Sequence, residues 1–363
     1  MREKPRLSTG EYLQLTYAVG FGAFSASWAA LTGWSRGSNR PSTYGKHVIY
    51  SATRSIFPRV SIRIGQALSG TTRDQYKIWA TKNGVKEDLV EIDSNEGIWG
   101  CWLGRNGEVS DGRNPGKTLL WFHGGGYVGA AAEPHFAMLW AFIRKAKARG
   151  DTLRVLVLEY DLAPHRVYPA QLRQATLALQ YLLSTGLKAS EILIGGDSAG
   201  GNLALGLVLH LSQPHPEISP LSLTDRLAGA ILMSPWVKLQ TDSNSYTRNS
   251  HKDALNVDAI RSWAASFLGK STTDKYNTPV QATAEDWKDV KVEKLVVTSG
   301  SDELLVDDIR TFVDILRKAR PDVEYLEAAG EAHDALVMDR AFGLKHELQS
   351  EKFLSAWLMA RLK

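Results

Sequence analysis

The stretch ILIGGDSAGGNLALGL, residues 192–207, decides how the chain is read. A run of isoleucine and leucine stops at two glycines. A single serine, Ser198, then stands between Gly196 and Gly200, and an apolar helical run follows at once. A turn that tight between a strand and a helix forces the serine backbone into a sparsely allowed conformation, and only glycine leaves room at the flanking positions. The G-x-S-x-G form, Gly196-Asp197-Ser198-Ala199-Gly200, therefore marks Ser198 as a candidate nucleophile. Its hydroxyl is expected at the carboxyl edge of a sheet, with a helix N-terminus beneath it.

The flanking sequence supplies that sheet. KTLLWF (117–122), LRVLVLEY (153–160), AGAILMS (228–234) and EKLVVTSG (293–300) are near-continuous apolar runs, as expected of strands buried on both faces. Helical segments alternate with them: PHFAMLWAFIRKAKARG opens at Pro134 and closes at Gly150, and others follow at 168–186 and 305–319. DLVEID and GIWGCWLG, separated by SNEG, read as a hairpin. This order predicts an α/β fold with a mostly parallel central sheet, helices on both faces and an antiparallel leading edge. Residues 44–80 read as amphipathic helix. About 55 residues between the strands at 228 and 293 are too many for a simple loop.

A nucleophilic serine needs a base, and the base needs an orienting carboxylate. With an elbow of this kind the carboxylate and then the histidine follow the serine along the chain. TSGSDELLVDD closes a buried strand, and Asp302 is its first acid; Glu303, Asp307 and Asp308 compete but read as the first turns of the next helix. Of the histidines beyond it, His333 sits in the loop AAGEAHDAL after the last strand, whereas His346 reads as solvated. The loop WFHGGGY brings His123, Gly124, Gly125 and Gly126 to the end of a strand, where backbone N–H groups can approach a substrate oxygen. Ala199, next to the nucleophile, is expected to add a further donor.

With these elements in order, the chain resembles the α/β-hydrolases of the hormone-sensitive-lipase-like esterase family. HGGGY and GDSAGGN carry the resemblance most specifically; YDLAPHRVYPAQL is similar to that family's Y-R-L-A-P-E segment, and SPW (234–236) to the end of its sixth strand. Similarity runs from about residue 85 to 340, and the pattern is closest to fungal members. The resemblance implies a triad of Ser198, Asp302 and His333 and an oxyanion hole from the N–H groups of Gly125, Gly126 and Ala199. It also implies that residues 1–84 and an insertion at about 237–290 cap a catalytic domain spanning 85–363. Asp161 and His165 depart from the family's arginine and glutamate, at positions that brace the sheet rather than react.

The implied activity is hydrolysis of short- to medium-chain acyl or aryl esters through an acyl-enzyme. Acyl transfer, lactonisation or condensation in a secondary-metabolite pathway could use the same triad. A ligand receptor on an inactive hydrolase fold stands further off, because receptors of this kind in the family lose the triad histidine and His333 is present. No metal or organic cofactor is implied. The histidines at 135, 210, 215 and 251 lack metal-ligand spacing, and Trp263 with Phe267 are candidates to line a substrate pocket.

A net charge of +4 without long basic runs argues against nucleic-acid binding. The one cysteine, Cys101, rules out an internal disulfide and suits an intracellular, reducing compartment. No charge occurs from Tyr12 to Ser35, yet Gly20, Gly22 and several hydroxyl residues dilute the apolar character. Residues 12–34 thus read as a membrane anchor (of the endoplasmic reticulum, for an intracellular enzyme), an interfacial segment, or a soluble helix over the active site. A homodimer stays open.

Overall fold

The computed structural model describes residues 6–33, 37, 39–105, 116–344 and 347–362; His346 lies outside them, as does Trp34 at the end of the apolar segment. Four helices lead the chain: α1 (Thr9–Thr32), α2 (Tyr44–Ile56), α3 (Ile62–Ser69) and α4 (Thr72–Asn83). The amphipathic stretch 44–80 is thus three helices rather than one. Pro58 sits in a short 3₁₀ turn after α2, and Ser61 then caps α3 by accepting from the Ile64 N–H. Gly70, at φ 69°, ends α3, and Thr71 with Asp74 forms a capping box for α4.

The sheet strands and their helices follow as β1 (Leu89–Asp93), β2 (Ile98–Leu103), β3 (Lys117–Phe122), α5 (Glu133–Ala148), β4 (Leu153–Glu159), α6 (Ala170–Ser184), β5 (Ile192–Asp197), α7 (Ala199–Ser212) and β6 (Gly229–Met233). The long segment after β6 holds α8 (Ser245–Arg248), α9 (Val257–Leu268) and α10 (Ala284–Lys288). Then come β7 (Leu295–Gly300), α11 (Val306–Ala319), β8 (Glu324–Ala328), α12 (Ala335–Ala341) and α13 (Gln349–Met359).

The eight strands form one sheet in the order β1-β2-β4-β3-β5-β6-β7-β8. β1 and β2 pair antiparallel, as do β2 and β4; every pairing from β4 onward through β8 is parallel. The strand alternation splits the core in two. Leu120, Phe122, Leu156, Leu158, Ile194 and Leu232 face one layer with α6, α7 and α11. Leu119, Trp121, Val155, Val157, Leu193 and Ile231 face the other with α4, α5 and α13. Continuous apolar strands are thereby explained: both faces are covered. The expected α/β architecture is the observed one, and the carboxyl ends of β3, β5, β7 and β8 converge at one edge.

Candidate active site

Ser198 links β5 to α7 with φ 51° and ψ −117°, a conformation costing roughly 1–3 kcal/mol that the surrounding packing must hold in place. Packing is tight enough to explain the two glycines. A Cβ at Gly200 would lie 1.9 Å from the Phe122 carbonyl oxygen, and one at Gly196 would lie 2.3 Å from the Gly200 carbonyl carbon. The Ser198 N–H donates to the Met233 carbonyl (2.9 Å), and the Ser198 carbonyl accepts from Trp236 N–H (2.9 Å) and Asn202 N–H (3.0 Å). The hydroxyl is thus set by backbone bonds from β6 and α7.

His333, after β8, comes to Ser198: its Nε2 is 2.8 Å from the serine Oγ. Both side chains are buried. The expectation that Asp302 orients this histidine is not met by the geometry. Asp302 turns toward Lys252 (3.3 Å), and among the described residues it makes no hydrogen bond or ion pair with His333. Its neighbour Glu303, fully buried, lies beneath the imidazole instead, with Oε2 4.0 Å from His333 Nδ1. The same oxygen accepts from Ser234 Oγ (2.6 Å) and Gly300 N–H (2.9 Å), which fix the carboxylate. His333 Nδ1 is buried without a hydrogen-bond partner among the described residues, so closing the gap to Glu303 would satisfy a costly orphan group. Catalytic contacts are often long before substrate binds.

Two further acids approach His333. Asp334 Oδ2 is 3.5 Å from its Nε2, and Asp253, fully buried and accepting from the Leu304 N–H, interacts electrostatically with the imidazole. Burial disfavours the imidazolium, but Asp334, Glu303 and Asp253 together outweigh it and hold the His333 pKa up at about 10. Burial in turn pushes the Asp334 carboxyl up, opposed by His333 and reinforced by Asp197 and Glu303. A histidine acting as base must be neutral, so its raised pKa displaces the rising limb of activity toward alkaline pH. In Asp334→Asn, with one carboxylate fewer to favour the cation, the limb of kcat/KM against pH is expected at lower pH. A limb at the wild-type position would show that Asp334 exerts no field on the base.

The glycine loop after β3 stands across from the elbow. Gly125 and Gly126 have φ 106° and 60°, open to glycine, and among the described residues neither N–H is bonded to a backbone carbonyl. Ala199 opens α7, where helix N–H groups lack intrahelical partners. Gly124 does not face the same way: its N–H donates to Asp197 Oδ2 (2.8 Å). Asp197 also accepts from Trp121 Nε1 (3.1 Å) and pairs with His135 Nε2 (3.1 Å), so this carboxylate ties the loop to the elbow. Burial opposes ionisation of Asp197, yet His135, His123 and the Gly124 N–H hold its pKa below the usual range. His123 is stacked on Tyr160 at 4.2 Å, and burial followed by the nearby His135 charge lowers it to about 4. It braces the loop as a neutral ring. The sequence reading missed His135, whose part depends on a carboxylate 62 positions away.

Helix α9 covers the loop. Phe267 stacks on Tyr127 with ring centres 3.8 Å apart, and Tyr127 donates its hydroxyl to Asn202 Oδ1 (2.7 Å). Trp263 lies against Gly126, where a Cβ would meet its ring at 2.7 Å, and Phe57 meets the Trp263 ring edge-on at 5.8 Å. The two candidate pocket residues, Trp263 and Phe267, are both brought to the glycine loop.

A family model described as alpha/beta hydrolase fold matches residues 119–337. An esterase of Acinetobacter venetianus is 30% identical over 210 residues, covering 57% of this chain and 64% of its own length. An acetyl-hydrolase of Streptomyces hygroscopicus is 29% identical over 222 residues, covering 60% and 68%. The chain thus spans about two thirds of the length of these relatives. Among solved structures, an esterase from the bacterial hormone-sensitive lipase family superposes with a TM-score of 0.62 at 21% identity, over 99% of this chain and 100% of that one.

Proposed function

The chain belongs to the α/β-hydrolase family, in its hormone-sensitive-lipase-like branch, and on that premise we propose that it is a serine carboxylic ester hydrolase. The observation that carries the reading is the 2.8 Å contact between Ser198 Oγ and His333 Nε2 on a strained elbow. Ser198 attacks the ester carbonyl while His333 Nε2 takes its proton. The tetrahedral oxyanion receives the N–H groups of Gly125, Gly126 and Ala199. His333 returns the proton to the leaving alcohol, and water, activated by the same nitrogen, hydrolyses the acyl-enzyme. Glu303 holds the imidazole and stabilises its charged form, the part first expected of Asp302. Residues 1–84 and 237–290 serve as the cap. The kept histidine, in contact with the serine, argues against a receptor role.

Substrates of short to medium acyl chain fit a loop roofed by an indole. The related esterase of Acinetobacter venetianus and acetyl-hydrolase of Streptomyces hygroscopicus support the same class. Turnover of p-nitrophenyl esters from acetate to decanoate tests both points: no turnover of any member by the folded protein would overturn the reading. In Trp263→Ala the preference is expected to move toward longer chains. One methylene in an apolar pocket is worth roughly 1–3 kcal/mol, so the decanoate-to-acetate ratio of kcat/KM should rise about 10- to 100-fold. An unchanged ratio would remove Trp263 from the pocket wall. Association with an intracellular membrane, such as the endoplasmic reticulum, belongs to this proposal through residues 12–34.

A further inference from the structure

Helix α1 is built with its polarity reversed relative to a helix meant for water. The residues it buries are small: Ala18, Gly22 and Ala29. Leu13, Tyr17, Phe21, Phe24, Trp28 and Leu31, spaced by three and four, form one outward stripe, with Leu13 68%, Phe24 64% and Leu31 78% exposed. Most of the large apolar side chains exposed anywhere among the described residues are on this helix. Its longer polar side chains turn toward the body of the protein. Glu11 pairs with Arg63 (2.9 Å), Gln14 donates to the Arg59 carbonyl (2.9 Å), and Ser25 accepts from Ser55 (2.7 Å). The hydroxyls of Thr16, Ser27 and Thr32 each donate back to the carbonyl four residues earlier.

We propose that this stripe docks into the lipid–water interface of a membrane, with α1 lying in its plane. The proposal deepens the membrane association offered with the hydrolase reading and does not depend on the chemistry at Ser198. Among the described residues no helix is long and apolar enough to cross a membrane. A helix with tyrosine, tryptophan and phenylalanine on one face suits the headgroup boundary instead. Arginines surround it. The Arg59 guanidinium lies 3.8 Å over the Phe21 ring, Arg63 donates to the Arg6 carbonyl (3.1 Å), and Arg40 to the Gly33 carbonyl (2.8 Å). That rim complements anionic headgroups. A second copy fits less well, because a two-fold interface sets each patch against itself and would bring the arginine rims together. Docking would also place lipid near the active-site roof, since α1 packs on α2, and the turn after α2 carries the Phe57 that meets Trp263.

The test is flotation of the full chain with phosphatidylcholine vesicles carrying phosphatidylserine. Wild type is expected to float with the vesicles and less so without the anionic lipid. The variant Phe24→Ser/Trp28→Ser/Leu31→Ser should lose at least about tenfold in partitioning. Leu68→Ser/Ile78→Ser, exposed elsewhere, should float as wild type does. Circular dichroism reports the fold of each variant and p-nitrophenyl acetate hydrolysis its site, so failure to bind lipid and failure of the hydrolase reading are read separately. Three results would overturn the proposal: wild type remaining with the lipid-free fraction, the triple variant floating undiminished, or a wild-type dimer that the triple variant turns into monomer without any vesicle binding.

Discussion

Ser198→Ala is expected to lower kcat on its best p-nitrophenyl ester by about 10⁶-fold, because nucleophile, base and orienting acid act as one unit. Whatever rate survives should come from the glycine loop and substrate binding alone, which in comparable sites leave roughly 10³–10⁴ over the uncatalysed reaction. The folded state should persist: among the described residues the hydroxyl makes one hydrogen bond, to His333, while the elbow is held by the Met233, Trp236 and Asn202 backbone bonds. Alanine at φ 51° is as strained as serine, so little change in Tm is expected. Intact-mass spectrometry after a fluorophosphonate gives the independent check. A single adduct on wild type, absent from the variant, identifies Ser198 as the activated group. A loss of activity below tenfold, or an adduct that survives the substitution, would move the nucleophile elsewhere.

Where backbone geometry demands a residue type, the sequence is readable. Gly196 and Gly200 mark the elbow because a Cβ at either would overlap main-chain atoms, and Gly125 and Gly126 mark a loop with positive φ. The parallel strands show because burial on both faces makes runs such as LRVLVLE continuously apolar. His333 follows from chain order once the elbow is fixed, with few histidines to choose among. Legibility ends where side-chain direction alone decides. Asp302 and Glu303 are neighbours in a turn between β7 and α11, and no periodicity says which of the two points inward; the turn sends Asp302 to Lys252 and Glu303 to the base. The same limit hid His135, which reaches Asp197 from the first turn of α5. Residues 12–34 were ambiguous because composition does not reveal which face of a helix meets the protein. Only the packing shows that the small residues face in.

The acid therefore carries the other large prediction. Glu303→Gln keeps size and, with its amide oxygen in the Oε2 position, the hydrogen bonds from Ser234 and Gly300, yet replaces the carboxylate that would stabilise the imidazolium with a neutral amide. A comparable loss of the orienting carboxylate costs about 10⁴ in kcat with the geometry left intact, and that is the fall expected here. The pH limb should drop as well, since Glu303 is one of the carboxylates holding the His333 pKa up. Asp302→Asn removes the ion pair with Lys252 and leaves the long contact from Ser301 Oγ (3.5 Å) to an amide oxygen. Such a pair contributes about 0–1 kcal/mol, and the effect on kcat should stay below roughly tenfold. The two variants, measured side by side on one ester with Tm recorded for each, separate the neighbours cleanly. If Asp302→Asn lost about 10⁴ and Glu303→Gln kept most activity, the turn after β7 would rearrange on substrate binding to exchange the two carboxylates. Glu303 would then be a buried brace for Ser234 and Gly300 rather than the partner of the base.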